Sequence, residues 1–321
     1  MRDHGGNIDA AIKAFGGDAS DWIDLSTGIN RAPYPLPPLS QAAWTGLPTR
    51  AAIASLHEAA RKALGISGAV LAVSGAQTAI QLIPRLAAPA QARVLAPTYN
   101  EHAASLRAAG WQVTEVATLA DLAGADLAVV VNPNNPDGNR YSPRSLLDLR
   151  QKVGRLLVDE SFADPQPAFS LCGETGPEGV LVLRSFGKFY GLAGVRLGFI
   201  LGSPADIATL SNMAGPWPVS GAAIEIGVAA LADTAWQAAT TARLTTEAAQ
   251  LDALAAAKGW TPLGGTELFR LYDTPDAAQA QNALASAHIW SRIFPYSPRW
   301  IRLGLPAGPS EWARVAAALA R

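Results

Sequence analysis

Short apolar runs without polar alternation recur from about residue 50 and alternate with helical stretches, and this pattern constrains the fold most strongly. The runs are Val70–Val73, Val94–Ala96, Leu127–Val131, Arg155–Val158 and Val180–Leu183, and the helical stretches are Ala51–Leu64, Ala76–Leu86, Glu101–Ala109 and Pro143–Lys152. Strands with no polar face are buried on both sides, so we predict an α/β fold with a mainly parallel sheet covered by helices. Ligands of such sheets bind at the carboxyl ends of the strands.

Two proline-containing segments mark the organisation of the remaining chain. Residues 31–38 cannot form regular helix or inner strand, because proline fixes φ and lacks a donor. A second break follows at Gly215–Pro218. Beyond it we predict a long helix over Ala222–Lys258, strands at Glu267–Tyr272 and Trp300–Leu303, and a last helix capped by Ser310. The predicted divisions are an N-terminal arm over 1–38, a large domain over 39–214 and a smaller α+β domain over 215–321.

Composition excludes several classes of function. Lys plus Arg total 25 and Asp plus Glu 26, so the net charge of −1 leaves no basic excess for a nucleic-acid backbone. The single cysteine, Cys172, excludes an internal disulfide framework and a cysteine-built zinc site. No apolar run approaches the roughly 18 residues that span a membrane, and the first residues lack the apolar core of a signal peptide. We therefore expect a soluble, cytoplasmic enzyme without metal, nucleic-acid or membrane partners.

Polar segments follow four of the predicted strands. Lys188 lies in a glycine-bounded turn, where burial of an ammonium is costly unless it is paired or its pKa falls. Such a lysine can be the amine of a Schiff base. Asp159 ends one strand, Asn135 lies in an Asn-Pro-rich turn after another, and Ser74–Ala76 joins a strand to a helix. Each segment alone is better explained as a solvated loop or a helix cap. Together they supply a lysine for an aldehyde, a carboxylate for a pyridinium nitrogen and donors for a phosphate.

The motifs Asn-Pro-x-Asn-Pro-x-Gly, Val-Asp-Glu and Ser-x-x-Lys with a later Arg occur in order along the chain. They resemble those of the fold-type-I pyridoxal-phosphate enzymes of the aspartate-aminotransferase superfamily, and the resemblance covers essentially the whole chain. It implies that Lys188 forms a Schiff base with pyridoxal 5′-phosphate. It also implies that Asp159 keeps the pyridine nitrogen protonated and that Asn135 bonds the 3′ oxygen of the ring.

The same resemblance assigns the cofactor phosphate. Ser185 and Arg196, which lies eight residues beyond the lysine, would bind it together with Ser74 and the amides of Gly75 and Ala76.

Two positions depart from the usual pattern of these relatives. Phe162 stands where many relatives carry a tyrosine that donates to the 3′ oxygen, and the loss of this donor should alter the pKa of the Schiff base. For the aromatic ring that stacks on the cofactor, the segment Pro-Thr-Tyr-Asn-Glu-His offers two candidates. We favour His102 over Tyr99, which could instead pack in the core.

Three segments resemble the threonine-phosphate decarboxylases of cobalamin biosynthesis: His4–Asn7, Asp24–Asn30 and Gly215–Ser220. The resemblance implies decarboxylation of L-threonine O-3-phosphate to (R)-1-amino-2-propanol O-2-phosphate. His4, Asn30 and Asn135 would contact this substrate, with the N-terminal arm folding back over the site. The glycines after His4 allow its backbone to approach a ligand closely.

Two arginines of the C-terminal part are candidate ligands of the substrate anions. Arg302 matches the carboxylate-binding arginine of the superfamily, and Arg292 lies ten residues before it. A planar guanidinium binds a carboxylate or a phosphate through two parallel hydrogen bonds. The plainer alternative is that both form surface salt bridges worth about 0 to 1 kcal/mol.

Two other functions compete with the decarboxylase. A histidinol-phosphate-type aminotransferase shares the general pattern, but such enzymes usually carry a tyrosine that reaches the neighbouring subunit's cofactor phosphate, where this chain has Leu47. A non-catalytic cofactor-binding regulator would normally carry an added DNA-binding domain, for which the sequence has no basic patch. The family resemblance further implies a homodimer.

Overall fold

The computed structural model describes residues 4–320 of the chain. Its helices are α1 (Ile8–Phe15), α2 (Ala42–Thr45), α3 (Arg50–Leu64), α4 (Ala76–Leu82), α5 (Glu101–Ala108), α6 (Pro143–Arg150), α7 (Pro204–Ala214), α8 (Gly221–Ala232), α9 (Thr234–Ala257), α10 (Ala277–Ala285) and α11 (Gly308–Leu319). Its strands are β1 (Ile23–Asp24), β2 (Ala69–Val73), β3 (Gln91–Leu95), β4 (Gln112–Val116), β5 (Leu127–Val131), β6 (Arg155–Asp159), β7 (Val180–Ser185), β8 (Gly198–Gly202), β9 (Thr261–Thr266), β10 (Phe269–Asp273), β11 (Ile289–Trp290), β12 (Arg292–Phe294) and β13 (Ser297–Gly304).

The chain forms two compact units. The larger unit comprises Tyr34–Asn135 and Arg140–Trp236. The smaller unit comprises the described residues up to Pro33, the short segment Pro136–Asn139 and the described residues from Gln237 onward. The domain boundaries that we placed after residues 38 and 214 stay predictions.

A seven-stranded sheet forms the larger unit, with the strand order β2-β8-β7-β6-β5-β3-β4. Only β8 runs against its neighbours, and the other contacts in the sheet are parallel. Every residue of β5 is at most 2% exposed, as expected for a strand covered on both faces. The predicted α/β fold with a mainly parallel sheet is confirmed.

Local sequence explains where the helices of the larger unit begin. Thr49, Ser142, Ser203 and Ser220 each stand just before a helix and accept a hydrogen bond from a backbone N–H of its first turn. These caps satisfy donors that have no partner within the helix. Proline follows directly in α6 and α7, where its fixed φ suits the first turn.

The smaller unit has an antiparallel four-stranded sheet, in the order β12-β13-β10-β9, and a separate parallel pair, β1 with β11. Helix α1 contributes Phe15 to an aromatic cluster with Trp22 and Trp290, whose ring centroids lie 6.2 to 6.4 Å apart. This cluster attaches the N-terminal part of the chain to the C-terminal part within the unit.

Several predicted elements differ from those observed. The single helix over Ala222–Lys258 is wrong, because Asp233 ends α8 and its side chain accepts from the N–H of Trp236 to cap α9. The last helix begins at Gly308 with Ala307 as its cap, so Ser310 lies inside it. The strand predicted from Glu267 begins at Phe269. Within residues 4–320, no helix has the length and apolarity needed to cross a membrane.

Candidate active site

A cavity in the larger unit lies at the carboxyl ends of its parallel strands. Seven of the nine residues predicted to bind the cofactor line it: Gly75, Ala76, Asn135, Asp159, Ser185, Lys188 and Arg196. They come from the turn between β2 and α4, from the ends of β6 and β7 and from the loops after β5 and β7. The fold therefore gathers residues separated by more than one hundred positions into one site.

The Asp159 carboxylate is 2% exposed and is held on both oxygens. Ser161 donates to Oδ1 from its backbone N–H at 2.9 Å and from its hydroxyl at 2.5 Å. The His102 ring donates to Oδ2 from Nε2 at 2.8 Å. Burial acts to raise the pKa of Asp159, but the bonds from His102 and Ser161 outweigh it and hold the pKa below the usual value. The site thus keeps a buried negative charge.

Lys188 lies in the loop that follows β7 and is half-buried. Its Nζ is 5.6 Å from the centroid of the Phe162 ring, within the range of a cation–π contact. Phe162 is buried and forms part of the cavity wall. An aromatic face without a hydroxyl therefore stands beside the lysine nitrogen.

Arg196 and Gly75 fit against each other in the same cavity. Arg196 adopts a left-handed backbone conformation, with φ of 55°, and its Nη1 donates to the Ala193 carbonyl at 3.1 Å. A Cβ atom at Gly75 would lie only 2.6 Å from Nη2 of Arg196. The guanidinium can occupy this position only because residue 75 has no side chain.

In the turn before α4, two of the predicted phosphate ligands make hydrogen bonds within the protein. The N–H of Gly75 donates to the Val73 carbonyl at 2.7 Å, so it is engaged within the turn. The hydroxyl of Ser74 donates to the Pro218 carbonyl at 3.1 Å, and Ser74 does not belong to the cavity lining. Ala76 and Gln77 open α4, where backbone N–H groups have no carbonyl acceptor in the preceding turn. These two amides are therefore available as donors, and the predicted phosphate contacts of Ser74 and Gly75 stay predictions.

The structure also separates the two candidates for the stacking ring. Tyr99 lines the cavity, whereas His102 is buried behind it against Asp159. The two rings meet edge to face, with centroids 6.3 Å apart. This geometry favours Tyr99 for a ring that stacks on a cofactor, and the preference for His102 that we drew from the sequence stays a prediction.

Behind the cavity, a buried ion cluster supports the strand ends. Ser185 lines the cavity, and its neighbour Arg184 points the other way because side chains alternate along a strand. Arg184 donates to Glu160 at 3.0 Å and to Asp164 at 2.7 Å. Glu160 also accepts from the Leu171 N–H at 2.6 Å. The residues next to Asp159 and Ser185 are thus fixed by charge-assisted bonds.

Two polar residues that line the site were not predicted from the sequence. Ser161 bonds Asp159 from two positions along the chain, a spacing at which serine and aspartate often form a local turn. Gln77 lines the cavity and donates from Nε2 to the buried carboxylate of Glu101 at 2.8 Å. Gln77 directly follows Gly75 and Ala76 in the sequence, and this position could have indicated that it belongs to the site.

The arginines predicted to bind substrate lie side by side in the smaller unit. Arg292 of β12 and Arg302 of β13 are directly opposite each other in the antiparallel pair. Arg302 is 6% exposed, and its guanidinium lies 5.0 Å from the centroid of the Phe269 ring. Burial, and then the charge of Arg292, lower the pKa of Arg302 to about 10. Two neighbouring cations of this kind favour an anionic ligand.

Asn30 and His4 differ in how closely they are held. Asn30 is buried, and its side-chain oxygen accepts from Nη2 of Arg243 at 2.8 Å and from the Ala32 N–H at 3.1 Å. His4 is exposed, in the same unit as both arginines. The predicted substrate contacts of these two residues stay predictions.

The chain belongs to the family of class I and II aminotransferases, whose model matches residues 39–319. Among curated proteins, it is similar to the threonine-phosphate decarboxylase of a Sinorhizobium species, with 44% identity over 99% of this chain and 97% of that protein. The threonine-phosphate decarboxylase of Pseudomonas aeruginosa is 40% identical over 99% of this chain and 97% of its own length. The superfamily and the subgroup that the sequence resembles are both confirmed.

A solved structure shows the same fold. The histidinol-phosphate aminotransferase from Sinorhizobium meliloti, in complex with pyridoxal 5′-phosphate, matches with a TM-score of 0.82 and 22% identity. The match covers 97% of this chain and 93% of that one. At this identity the likeness concerns the fold.

Proposed function

We propose that the protein is a pyridoxal-phosphate-dependent threonine-phosphate decarboxylase. It converts L-threonine O-3-phosphate into (R)-1-amino-2-propanol O-2-phosphate and carbon dioxide, a step of cobalamin biosynthesis. The observation that carries the proposal is the single cavity that unites Lys188, Asp159 and Arg196. The two decarboxylases that match almost the full length of the chain support the choice of reaction.

The cavity fits pyridoxal phosphate group by group. Asp159, whose bonds keep it charged, suits a protonated ring nitrogen. The space that a Cβ of Gly75 would fill holds the Arg196 guanidinium, which together with Ser185 and the amides of Ala76 and Gln77 suits a phosphate. Lys188 supplies the amine for the aldehyde. Tyr99 would cover the ring face, and Asn135 would bond the 3′ oxygen.

When bound, pyridoxal phosphate supplies an aldehyde for the substrate amine and a ring that takes up the electron pair left by carbon dioxide. The chain's own residues determine the rest. Asp159 holds the proton of the ring nitrogen in place, because its own carboxylate stays ionised. Lys188, once displaced by the substrate amine, can return a proton to the substrate Cα as a general acid. Phe162 offers its ring face to that nitrogen and no competing proton.

Arg292 and Arg302 serve as ligands for the substrate's carboxylate and phosphate. They lie directly opposite each other on β12 and β13, and the burial of Arg302 strengthens its attraction for an anion. His4 and Asn30 are the further contacts that the family resemblance implies. Decarboxylation requires a fixed orientation of the substrate's carboxylate, and a guanidinium would supply it through two parallel hydrogen bonds.

The alternative function is that of a histidinol-phosphate-type aminotransferase. The two reactions share the cofactor site and differ in which bond of the substrate is held perpendicular to the ring and where the proton returns. Leu47, in place of a tyrosine that such aminotransferases usually carry, is 68% exposed and has no hydroxyl for a phosphate. This position favours the decarboxylase.

A homodimer is part of the proposal. The larger unit exposes Trp44, Leu47 and Trp217 at 69%, 68% and 53%. Helices α2 and α8 pack closely, as a Cβ at Gly221 would lie only 2.6 Å from the Ala43 carbonyl oxygen. This packing brings together the segments that carry the three exposed side chains. Large exposed apolar side chains grouped in this way favour burial against a second copy of the chain. Replacement of Trp44 by Glu is expected to shift the light-scattering mass from dimer toward monomer.

The function is tested by two assays on the cofactor-loaded protein. The first measures release of carbon dioxide from L-threonine O-3-phosphate, and the second measures transfer of the amino group from histidinol phosphate to 2-oxoglutarate. The proposal predicts carbon dioxide and the aminopropanol phosphate in equal amounts, with no glutamate. Arg302→Gln is expected to lose most of this activity, whereas Arg299→Gln, an exposed arginine of the same strand, should keep it. Amino transfer without carbon dioxide would establish the aminotransferase instead.

A further inference from the structure

Ser26 binds the N-terminal segment, defined here as His4–Asn7, through its side chain. The Gly6 N–H donates to the Ser26 hydroxyl at 2.7 Å, and this hydroxyl in turn donates to Oδ1 of Asp24 at 2.5 Å. Oδ1 of Asp24 also accepts from the Ser26 N–H at 2.8 Å. Ser26 is 0% exposed. Because the hydroxyl gives its proton to Asp24, its lone pair faces the N-terminal segment in a fixed direction.

The carbonyl of the same residue binds Arg302. Nη2 of Arg302 donates to the Ser26 oxygen at 2.5 Å. The backbone around Ser26 is itself pressed onto β13, since the Gly304 N–H donates to the Leu25 carbonyl at 2.7 Å. A Cβ at Gly304 would lie 2.4 Å from the Thr27 carbonyl oxygen. One residue therefore connects the N-terminal segment to the guanidinium that we assign to the substrate anion.

The N-terminal segment lies so close to Ser26 that it requires glycine at the point of contact. A Cβ at Gly5 would lie 2.4 Å from the Ser26 carbonyl oxygen and 3.1 Å from its hydroxyl oxygen. Gly6 follows with a φ of 85°, a conformation that residues with side chains rarely adopt. The two glycines thus let the segment lie directly on Ser26, next to the bond from Arg302.

We propose that Ser26 is a positioning residue that docks the N-terminal segment onto Arg302 and so completes a binding site for the phosphate monoester of the substrate. This inference rests on the proposed function for the identity of the substrate. The Ser26 carbonyl fixes the orientation of the Arg302 fork, and its hydroxyl holds the segment that carries the His4 imidazole. Arg292, opposite Arg302 in the sheet, then remains for the substrate's carboxylate.

The test measures binding of inorganic phosphate to the cofactor-loaded protein by calorimetry, alongside KM and kcat for threonine phosphate. Ser26→Ala is expected to weaken phosphate binding and raise KM by about tenfold each, with kcat changed by less than about twofold. The matched control is Ser291→Ala, because Ser291 is 1% exposed and its hydroxyl makes no hydrogen bond among the described residues. This control should behave as the wild type.

Deletion of residues 2–6 tests whether Ser26 acts through the N-terminal segment. The deletion should weaken phosphate binding as much as Ser26→Ala, and the combined variant should be no weaker than either alone, because both remove the same docking. Gly5→Ala, which displaces the segment from the other side, should give the same result if Ser26→Ala fails to fold. Gly173→Ala is its control, since the nearest atom to its Cβ would be 3.7 Å away.

Two results would overturn the inference: wild-type phosphate affinity in Ser26→Ala, or effects of Ser26→Ala and the deletion that multiply. The outcome does not depend on turnover. If the wild type released no carbon dioxide but the phosphate affinities followed this pattern, the proposed reaction would be wrong and the role of Ser26 would stand.

Discussion

Gly75→Ala tests whether the cofactor phosphate lies where Arg196 and the turn before α4 meet. Gly75 has φ of 77° and ψ of 163°, a combination that is essentially restricted to glycine. A new Cβ would lie 2.6 Å from Nη2 and 3.0 Å from Cζ of Arg196. The substitution therefore strains the backbone and pushes the guanidinium away from the cavity.

These two consequences affect different quantities. Backbone strain of about 1 to 3 kcal/mol lowers the free energy of unfolding. Displacement of Arg196 removes a hydrogen bond between charged groups, worth about 1.5 to 3 kcal/mol, from cofactor binding. The dissociation constant for pyridoxal phosphate should therefore rise by a factor of about 10 to 100.

Fluorescence titration of the cofactor-free protein with pyridoxal phosphate measures this constant, and urea unfolding measures the strain. Arg196→Ala should raise the dissociation constant by a similar factor. In the double variant the constant should rise by far less than the product of the two single effects, because both substitutions disturb the same contact. Gly173→Ala, whose Cβ meets no atom closer than 3.7 Å, should bind as the wild type does. Unchanged affinity in Gly75→Ala, or effects that multiply, would refute the placement of the phosphate.

Three further predictions concern buried groups. His102→Phe removes a hydrogen bond that lowers the pKa of Asp159, so this pKa should rise. Affinity for the cofactor should then fall as the pH is lowered from about 7 to about 5, whereas the wild type keeps its affinity. Titrations with pyridoxal phosphate at both pH values test this. Arg184→Met leaves the Glu160 carboxylate buried without its cation and should lower the free energy of unfolding in urea by about 3 to 5 kcal/mol, and a loss below about 1 kcal/mol would contradict this. Burial, followed by the charge of Glu160, raises the pKa of Cys172 to about 12, so mass spectrometry should detect iodoacetamide labelling at about pH 8 only after unfolding.

The central sheet could be predicted because its strands carry the signal themselves. Each residue of β5 is apolar and buried, and no other element fits so short an unbroken apolar run. The edge strand β4 carried no such signal, since Gln112 and Glu115 face solvent. The break between α8 and α9 also escaped prediction, because Asp233 is a single capping residue within a long alanine-rich stretch.

The candidate site could likewise be predicted only in part. Lys188, Asp159 and Arg196 could be predicted because their spacing along the chain resembles that of known enzymes, and the structure places all three in one cavity. The choice between Tyr99 and His102 could not be made in this way. Tyr99 lies just before α5 and His102 lies in its first turn, so the two are close in sequence. Which ring reaches the cavity depends on Asp159 at the end of β6, because Asp159 accepts the hydrogen bond from His102.

Ser26 illustrates a further limit of the sequence. A serine in an Asp-Leu-Ser turn is usually a local capping residue, and its bonds to Asp24 fit that description. Its contacts with Gly6 and Arg302 join positions 20 and 276 residues away along the chain. Only the folded structure brings these groups to one residue.

The claim on which the account rests is that Lys188 holds the cofactor, and borohydride reduction tests it most directly. Reduction fixes the cofactor to the amine that carries it, and peptide mapping by mass spectrometry then identifies the lysine. The label is expected on the peptide that contains Lys188, and none is expected on the peptides of Lys13, Lys62, Lys152 or Lys258. Label on one of these four lysines, or retention of the label in Lys188→Ala, would contradict it.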